Sequence, residues 1–311
     1  MAAEATFIVN PAAANGRMRR WWREREPAYR TALGSAFEAV ATESPGHASP
    51  LTRAALARGA RTIVAVGGDG TLNEVLNGFL DEAGRPRSRD AALAVLPFGT
   101  GSDFVRTFGG PRSAGDLVQG IRERLIRTID AGLCEFAGPQ GTTRRFFLNV
   151  AEFGSGGAIV DRMNRTTKVL RGRFGFLLAI LLTLPRYRNT RVGFIADNGP
   201  RREAVVNDFV IANGRYFGAG LMPAPRAQLE DGQFDVVIFG DIDFRTARRN
   251  LPALRRGEHL SLEEVSTFRC STLRIVSGDE MIDLDGEFVG RHPVRFELLP
   301  KAVPMLAFKE G

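Results

Sequence analysis

Short apolar runs alternate with amphipathic stretches through the first part of the chain. The segments at 6–9, 62–66 and 91–96 are apolar almost throughout, which is typical of strands buried on both faces of a parallel sheet. Stretches with a helical spacing of apolar residues lie among them, at 50–58, 72–80 and 114–124. Strands and helices that alternate in this way predict a parallel α/β domain with right-handed crossovers.

After about Asp130 the pattern changes to short strands bounded by turn residues. Such strands are predicted at 145–150, 190–196, 203–212, 233–239, 272–277, 281–284 and 294–299. Helical stretches interrupt them near 170–184 and 244–255. Short strands at this spacing are typical of a β-sandwich. We therefore predict an α/β domain over residues 1–130 and a β-sandwich domain over 131–311, with packing of the last residues back on the first domain left open.

Composition and charge narrow the function classes. The 311 residues are 44% apolar and 25% charged, which is the composition of a folded globular protein. The formal charge is +7, from 42 basic and 35 acidic residues, and only three of the basic residues are lysines. Such an excess attracts anionic partners such as nucleotide phosphates, anionic lipids or nucleic acid. Codon usage that favours arginine explains part of the excess equally well.

The same counts exclude several classes of protein. Two cysteines and three scattered histidines support neither a disulfide framework nor a zinc site. The first residues lack the pattern of a signal peptide, and the longest apolar run, at 174–184, is too short to span a bilayer. We therefore expect a cytoplasmic protein that touches membranes only peripherally.

A glycine-rich loop between a strand and a helix carries the clearest chemical signal. The strand ends at Val66, and Gly67, Gly68 and Gly70 follow. Thr71 and Glu74 have the spacing of a capping box, which predicts that a helix begins at Thr71. A glycine turn at a helix N-terminus forms a site for anionic groups. Asp69 lies inside this loop, where a carboxylate would repel phosphate unless a cation such as Mg²⁺ lay between them.

Other phosphate motifs fail at this loop. The dinucleotide fingerprint needs a third glycine where Asn73 stands, a Walker A loop needs a glycine followed by lysine, and the chain has no HRD motif of protein kinases. An ordinary turn between a strand and a helix remains the structural alternative.

The sequence 67–71, Gly-Gly-Asp-Gly-Thr, resembles the nucleotide loop of the diacylglycerol and sphingosine lipid kinases and, more distantly, that of NAD kinases and phosphofructokinases. The second loop at 96–104 resembles the second glycine loop of the lipid kinases of the bacterial diacylglycerol kinase type. Further matches follow in family order at 10–11, 42–48, 212–214, 222–225, 229–232 and 285–287. The resemblance implies a Rossmann-like nucleotide-binding domain, then a β-sandwich domain for the lipid substrate, with the active site in the cleft between the domains.

The resemblance also implies the residues that bind ATP. They are Asn10, Pro11, Thr42, Gly67, Gly68, Gly70, Thr71, Glu74, Gly99 and Thr100. Arg17, which lies near Asn10 in the sequence, is a further candidate for contact with phosphate. Two departures from the family pattern, Asn-Pro-Ala-Ala-Ala at 10–14 and Ser102 before Asp103, bear on nucleotide affinity and on the choice between ATP and GTP.

The carboxylates of Asp285 and Glu287 are the candidates for proton transfer. They follow an apolar strand and are predicted to lie in a turn at its end, where strand alternation would place both side chains on one side. The spacing alone favours a hairpin turn with two solvated carboxylates. The resemblance implies that both residues lie at the cleft, that Glu287 is the general base, and that Asp69 supports the catalytic Mg²⁺ and the phosphates.

A second loop is a candidate for a structural Mg²⁺. The resemblance implies Gln228, Asp231 and the main-chain carbonyl of Gln233 as its ligands. On the sequence alone, Glu-Asp-Gly at 230–232 is an ordinary turn.

Three segments suit a lipid or a membrane surface. The apolar stretch at 170–184 is predicted to be either a buried core helix or a helix that lines an acyl-chain pocket. The arginine-rich segments at 17–25 and 245–256 are either solvated helix faces or contacts with anionic lipid. The predicted partners are therefore a lipid substrate and an anionic membrane surface, with a homodimer left open and no nucleic acid.

The function that the resemblance implies is an ATP- and Mg²⁺-dependent lipid kinase, which phosphorylates a primary hydroxyl of a diacylglycerol-like or sphingoid-like lipid. The alternatives are a small-molecule kinase related to NAD kinase and an inactive lipid-binding protein on the same fold.

Overall fold

The chain forms two units in a computed structural model. The structure describes residues 4–99, 101–138, 141–165, 179, 182–278, 281–291 and 294–308. The first unit comprises Met1–Asp130 with Lys301–Gly311, and the second comprises Ala131–Pro300. The first unit is an α/β domain and the second is a β-sandwich, so the predicted fold class is confirmed.

The first unit is built on a parallel sheet. Its strands are β1 (Ala5–Val9), β2 (Phe37–Ala41), β3 (Thr62–Gly67) and β4 (Ala92–Pro97), in the order β2-β1-β3-β4. The end of the last strand of the chain, β16 (Val294–Leu306), pairs in parallel with β4 through Met305 and Leu93. The helices are α1 (Arg17–Leu33), α2 (Ala48–Ala57), α3 (Asp69–Phe79), α4 (Asp103–Phe108) and α5 (Ala114–Glu123).

The apolar runs of the sequence form the centre of this sheet. All six residues of β3 are buried, as expected for a strand with helices on both faces. Strand β2 was not predicted, because only its first residue, Phe37, is buried and its other positions carry a mixed pattern. Phe7 lies at the core, where its ring packs within 6 Å of the rings of Trp22, Tyr29 and Phe37.

The second unit contains two groups of strands. The first group comprises β5 (Ile126–Gly138) paired with β6 (Gly141–Phe147), and β8 (Thr190–Ala196) paired with β9 (Arg202–Val206) and β13 (Thr272–Ser277). The second group is an antiparallel sheet in the order β12-β11-β10-β7-β14-β15. Its strands are β7 (Val150–Gly154), β10 (Asp208–Ala212), β11 (Phe234–Phe239), β12 (Val265–Cys270), β14 (Met281–Leu284) and β15 (Glu287–Arg291).

A core of aromatic side chains lies inside this unit. Phe153, Phe194, Phe209 and Phe268 form one set of ring contacts, with centroids 4.5 to 6.4 Å apart. The residues come from strands of both groups, so their burial joins the two layers of the sandwich.

Two predicted strands are each divided in the structure. The strand predicted at 203–212 is β9 and β10, which belong to different sheets, with Asn207 between them. The main-chain N–H of Asn207 bonds to the carbonyls of Phe239 and Gly240 instead of continuing a strand. The strand predicted at 145–150 is likewise the end of β6 and the first residue of β7. In both places the strand-like pattern of the sequence continues across the break. The break itself is caused by pairing with strands that are distant in the sequence, which no local pattern shows.

Two described helices belong to the second unit, α6 (Ser155–Arg165) and α7 (Phe244–Arg256). The stretch at 170–184 lies mostly outside the described residues, so its predicted role stays a prediction. Among the helices that the structure describes, none is both long and apolar enough to cross a bilayer.

Candidate functional site

Two glycine loops lie side by side at the carboxyl ends of β3 and β4. Because these strands are adjacent and parallel, the loops that follow them leave the sheet at the same edge. A Cβ atom on Gly99 would lie 3.0 Å from the Cα atom of Gly68, and one on Gly67 would lie 2.4 Å from Thr71 Oγ1. Glycine is therefore required where the loops touch. Helices α3 and α4 begin just after the loops, so their N-termini favour an anion there.

Asn10 fixes the first loop of the unit against helix α3. Its amide Nδ2 donates to Thr71 Oγ1 at 3.0 Å, and its Oδ1 accepts from the main-chain N–H of Ala12 at 3.0 Å. The loop through Pro11 is therefore held beside the first turn of α3, which also contains Gly70.

The capping box expected at Thr71 and Glu74 is wrong. Helix α3 begins two residues earlier, at Asp69, with Gly68 as its N-cap. The Glu74 carboxylate instead accepts hydrogen bonds from the N–H groups of Gly46 (2.8 Å) and Ala48 (3.0 Å). The local spacing was misleading because the loop before α2 supplies the donors for Glu74. Glu74 thus orders the loop that follows Thr42.

The carboxylate of Asp69 joins the two glycine loops. It accepts from the N–H groups of Asp103 at 3.1 Å and Phe104 at 3.2 Å, which are the first residues of α4. A Cβ atom on Gly101 would lie 3.2 Å from the Asp103 carboxylate and 3.3 Å from that of Asp69. Two carboxylates thus lie against the second loop. The sequence placed Asp103 in the second glycine loop but indicated no role for its carboxylate.

The remaining nucleotide candidates lie in or near the same loops. Arg17 begins α1, and its guanidinium donates to the Ala14 carbonyl at 3.2 Å. Thr42 is buried, and its N–H bonds to the carbonyl of Val9. Thr100 lies outside the described residues. The nucleotide roles of all these residues stay predictions.

Asp285 lies in a turn at the end of an apolar strand, as the sequence predicts. With Gly286 it forms the two-residue turn between β14 and β15, and the two residues have φ angles of 51° and 88°. Positive φ angles at both central positions are typical of tight hairpin turns. The Asp285 carboxylate accepts from the N–H groups of Leu148, Asn149 and Val150, each at 3.0 Å. It therefore orders the irregular segment between β6 and β7.

Glu287 follows this turn and pairs with an arginine. Arg145 on β6 donates to the Glu287 carboxylate at 2.9 Å, and about a third of each side chain is exposed. No local pattern distinguishes Arg145 from the other arginines among the 39 in the chain. The predicted placement of these residues at a cleft between the domains stays a prediction.

In the loop proposed for a structural magnesium ion, the carboxylate of Asp231 is already paired with the side chain of Arg269. The Asp231 carboxylate accepts from the N–H of Gln233 at 3.2 Å and is bonded on its other oxygen by the guanidinium of Arg269. Arg269 also lies 3.7 Å from the Asp235 carboxylate, while Gln228 is exposed. These residues do not fit Mg²⁺ unless Arg269 is displaced, so no role in the reaction is derived for this loop.

Three buried carboxyl groups, which the sequence analysis missed, share one face of the second sheet. Glu152 on β7 lies opposite Asp283 on β14 and Val210 on β10, and Asp208 is two residues from Val210. Burial raises the pKa of Glu152 well above its usual range, and the neighbouring carboxyls add to this effect. Burial likewise raises the pKa of Asp283 to about 8. Their signal is invisible in the sequence because it depends on strand register.

We expect an Asp283→Asn variant to lose much of the pH dependence of folding. The raised pKa of Asp283 means that the folded chain holds a proton that the unfolded chain releases at lower pH. Its contribution to stability is full below about pH 4 and is lost as the pH rises towards 8. Because one pKa unit corresponds to about 1.4 kcal/mol, the variant should gain a few kcal/mol over the wild type at pH 9. Urea unfolding at pH 5, 7 and 9 measures this difference.

The matched control is Glu263→Gln, which removes an exposed carboxylate of the same unit. It should leave the pH dependence unchanged. Equal pH dependence in Asp283→Asn and the wild type would contradict the prediction.

Comparison with known proteins identifies relatives over most of the chain. A model of the diacylglycerol kinase catalytic domain matches residues 4–134, and a model of the YegS C-terminal NAD kinase beta sandwich-like domain matches residues 150–307. A diacylglycerol kinase of Mycobacterium tuberculosis (strain ATCC 25618 / H37Rv) is 30% identical over 269 residues, which cover 84% of this chain and 81% of the relative. A diacylglycerol kinase of Bacillus subtilis (strain 168) is 28% identical over 276 residues, with coverages of 87% and 85%.

A solved structure has the same fold. The crystal structure of a diacylglycerol kinase from Bacillus anthracis str. Sterne superimposes with a TM-score of 0.69 at 20% identity, and the alignment covers 98% of this chain and 96% of that one.

Proposed function

Because the chain belongs to the diacylglycerol kinase family and is a lipid kinase, we propose that it transfers the γ-phosphoryl group of ATP to a primary hydroxyl of a diacylglycerol-like lipid, with Mg²⁺ as the metal ion. The observation that carries the proposal is the pair of touching glycine loops, joined by the carboxylate of Asp69. Glycine loops and helix N-termini bind phosphate through main-chain N–H groups. The loops contain no lysine, so the main chain and a metal ion would carry this task.

Asp69 is the residue that would hold the metal ion, and Asp103 would join it if the Arg106 guanidinium, which lies 3.4 Å from Asp103 Oδ1, moved aside. Carboxylate oxygens are the protein ligands that Mg²⁺ prefers, and the ion usually completes its shell with water and substrate phosphates. When bound, Mg²⁺ offsets the charge that develops on the transferred phosphoryl group. Asp69 would also keep the second loop in place through its bonds to α4.

Glu287 is the proposed general base. It would accept the proton of the lipid hydroxyl while the hydroxyl oxygen forms its bond to the γ-phosphorus and the bond to the departing ADP breaks. Asp285 is tied to three main-chain donors, which suits a positioning role better than proton transfer. Arg145 would hold Glu287 in a defined orientation through their ion pair.

The lipid would be reached from a membrane surface. Helix α7 has no buried residue and carries Arg245, Arg248, Arg249, Arg255 and Arg256. Exposed clusters of arginine bind anionic bilayers through their charge. We therefore propose peripheral contact with anionic lipid through α7.

A transfer assay with labelled ATP tests both parts of the proposal. Vesicles with and without anionic lipid would carry dioleoylglycerol, sphingosine or no acceptor, and NAD would serve as a soluble acceptor. We expect labelled phosphatidic acid, formed only with Mg²⁺ and several-fold faster on anionic vesicles. Labelled NADP without a lipid product would overturn the lipid substrate. Equal rates on neutral and anionic vesicles would overturn the membrane part alone, and phosphorylation of sphingosine alone would replace the proposed lipid class.

A further inference from the structure

One tryptophan of helix α1 contacts the second glycine loop. Helix α1 carries Trp21 and Trp22 next to each other. The ring of Trp22 packs on Phe7 and Tyr29 inside the first unit, with centroid distances of 5.7 and 5.8 Å. The ring of Trp21 instead lies 4.8 Å from that of Phe98, at an angle of 35°. The two neighbouring indoles therefore support different parts of the unit.

Phe98 leads directly into the place where the two glycine loops touch. It follows strand β4, which ends at Pro97, and its N–H bonds to the carbonyl of Gly67 at 2.8 Å. The next residue is Gly99, whose Cβ position would lie 3.0 Å from the Cα atom of Gly68. Because a rigid peptide unit joins Phe98 to Gly99, the position of the Phe98 ring limits where Gly99 can lie.

The indole of Trp21 is held in place on its helix. The guanidinium carbon of Arg25, one turn further along α1, lies 4.5 Å from the centre of the Trp21 ring, which is the geometry of a cation–π contact. Trp21 and Phe98 are both partly buried and pack against the apolar core of the first unit. An indole has only two side-chain torsions, so little conformational entropy is lost when such contacts fix it.

Helix α1 also continues the first loop of the nucleotide candidates. It begins at Arg17, directly after the loop at 10–16. At the other end of this loop, Asn10 donates to Thr71 Oγ1 at 3.0 Å. Trp21 lies one helical turn after Arg17. The helix is therefore linked to the first loop through its beginning and to the second glycine loop through Trp21.

We propose that Trp21 is a positioning residue for the nucleotide, because its packing on Phe98 keeps the two glycine loops in contact. The inference rests on the proposed function, in which these loops bind the phosphates of ATP. Main-chain N–H groups bind phosphate well when they are fixed in advance at the right places. Trp21 acts on them through Phe98 and does not itself contact the phosphates.

The first test is Trp21→Ala. Binding of a non-hydrolysable ATP analogue with Mg²⁺ to the full chain is measured by calorimetry, and KM and kcat are measured with ATP and dioleoylglycerol. We expect the Kd for the analogue and the KM for ATP to rise about tenfold, which corresponds to about 1.4 kcal/mol. The kcat and the KM for the lipid should change by less than about twofold, because the lost interaction is common to the ground state and the transition state.

A double-mutant cycle isolates the contact with Phe98. If Trp21 acts through this ring, Phe98→Ala added to Trp21→Ala should raise the Kd for the analogue by no more than about threefold over the larger single effect. Two independent tenfold effects would multiply to about a hundredfold, and this result would overturn the inference. Trp21→Phe keeps an aromatic ring next to Phe98 and should restore the Kd to within about threefold of the wild type.

Trp22→Phe is the matched control. It alters the neighbouring indole, which packs on Phe7 and Tyr29, so it should lower the free energy of unfolding and leave the Kd for the analogue unchanged. It also makes Trp21 the only tryptophan of the chain. The fluorescence of Trp21 should therefore change when the analogue binds to Trp22→Phe. The change should be smaller when Phe98→Ala is added.

The outcomes separate this inference from the proposed function. Wild-type affinity for the analogue in a folded Trp21→Ala protein would overturn the role of Trp21, and so would an equal loss of affinity in Trp21→Phe or in Trp22→Phe. Normal lipid phosphorylation in those cases would leave the proposed function intact. If the wild type binds the analogue but phosphorylates no lipid, the lipid substrate is wrong and the role of Trp21 stands. If the wild type binds no analogue, both fail.

Discussion

An Asp69→Asn variant is expected to fold and to lose on the order of a thousandfold in kcat for lipid phosphorylation. The substitution removes the charge that would hold the metal ion beside the glycine loops. The remaining side-chain oxygen accepts one of the two hydrogen bonds from α4, so the second loop loses one restraint. We therefore expect a higher KM for ATP and a fall of about 1 kcal/mol in the free energy of unfolding.

Asp116→Asn is a matched control for this experiment. Asp116 accepts from the N–H groups of Arg112 at 2.9 Å and Ser113 at 3.1 Å at the start of α5, in the same first unit. Both variants lose a carboxylate that binds two main-chain donors at a helix N-terminus, but only Asp69 lies between the glycine loops. Asp116→Asn should lose a similar amount of stability and keep its kcat. Wild-type turnover in a folded Asp69→Asn protein would remove Asp69 from the proposed mechanism.

Glu287→Gln and Asp285→Asn are expected to fail in different ways. Glu287→Gln removes the proposed base and should lower kcat at least about a hundredfold. Its ion pair with Arg145, in which about a third of each side chain is exposed, contributes at most about 1 kcal/mol to stability. Asp285→Asn keeps a residue that tolerates a positive φ angle, but it weakens three main-chain hydrogen bonds. It should therefore lower the free energy of unfolding by about 2 kcal/mol.

The measurements are kcat against pH and urea unfolding for each variant. In the wild type, kcat should fall at low pH as the base becomes protonated, and this fall should be absent from the residual activity of Glu287→Gln. Arg145→Gln separates the ion pair from the base: it should lower kcat less than Glu287→Gln does and should keep the fall of kcat at low pH. A larger loss of kcat in Asp285→Asn than in Glu287→Gln, with an unchanged fold, would exchange the roles of the two residues.

The sequence was most informative where a strand is buried on both faces, because nearly every residue of such a strand is then apolar. Strand β3 is buried on every side, so its apolar run and the glycines after it predict both the strand and the loop. Strand β12 was not predicted, because it contains few apolar residues and they do not alternate with polar ones. Its sequence is Val-Ser-Thr-Phe-Arg-Cys, and only the first and last of these residues are buried. Its pairing with β11 places Arg269 opposite Asp235. Such a strand is stabilised by a partner that only the fold supplies.

The same reason explains which site residues were missed. Arg145 and Glu287 are 142 positions apart in the chain, and Glu152 meets Asp283 only through the register of β7 and β14. No local pattern encodes these contacts. The capping box at Thr71 shows the opposite error, since a correct local motif was overridden by Gly46 and Ala48, which bind Glu74 from another loop.

The grouping of Lys301–Gly311 with the first unit has a consequence for how the chain folds during synthesis. The second unit is one continuous stretch, so it can complete its contacts once Pro300 has left the ribosome. The first unit begins earlier but finishes later, because Met305 pairs with Leu93, and the N–H of Ala307 bonds to the carbonyl of Leu125. One edge of β4 therefore lacks its partner strand β16 while the second unit, of about 170 residues, is synthesised. The first unit is therefore the last part of the chain to become complete.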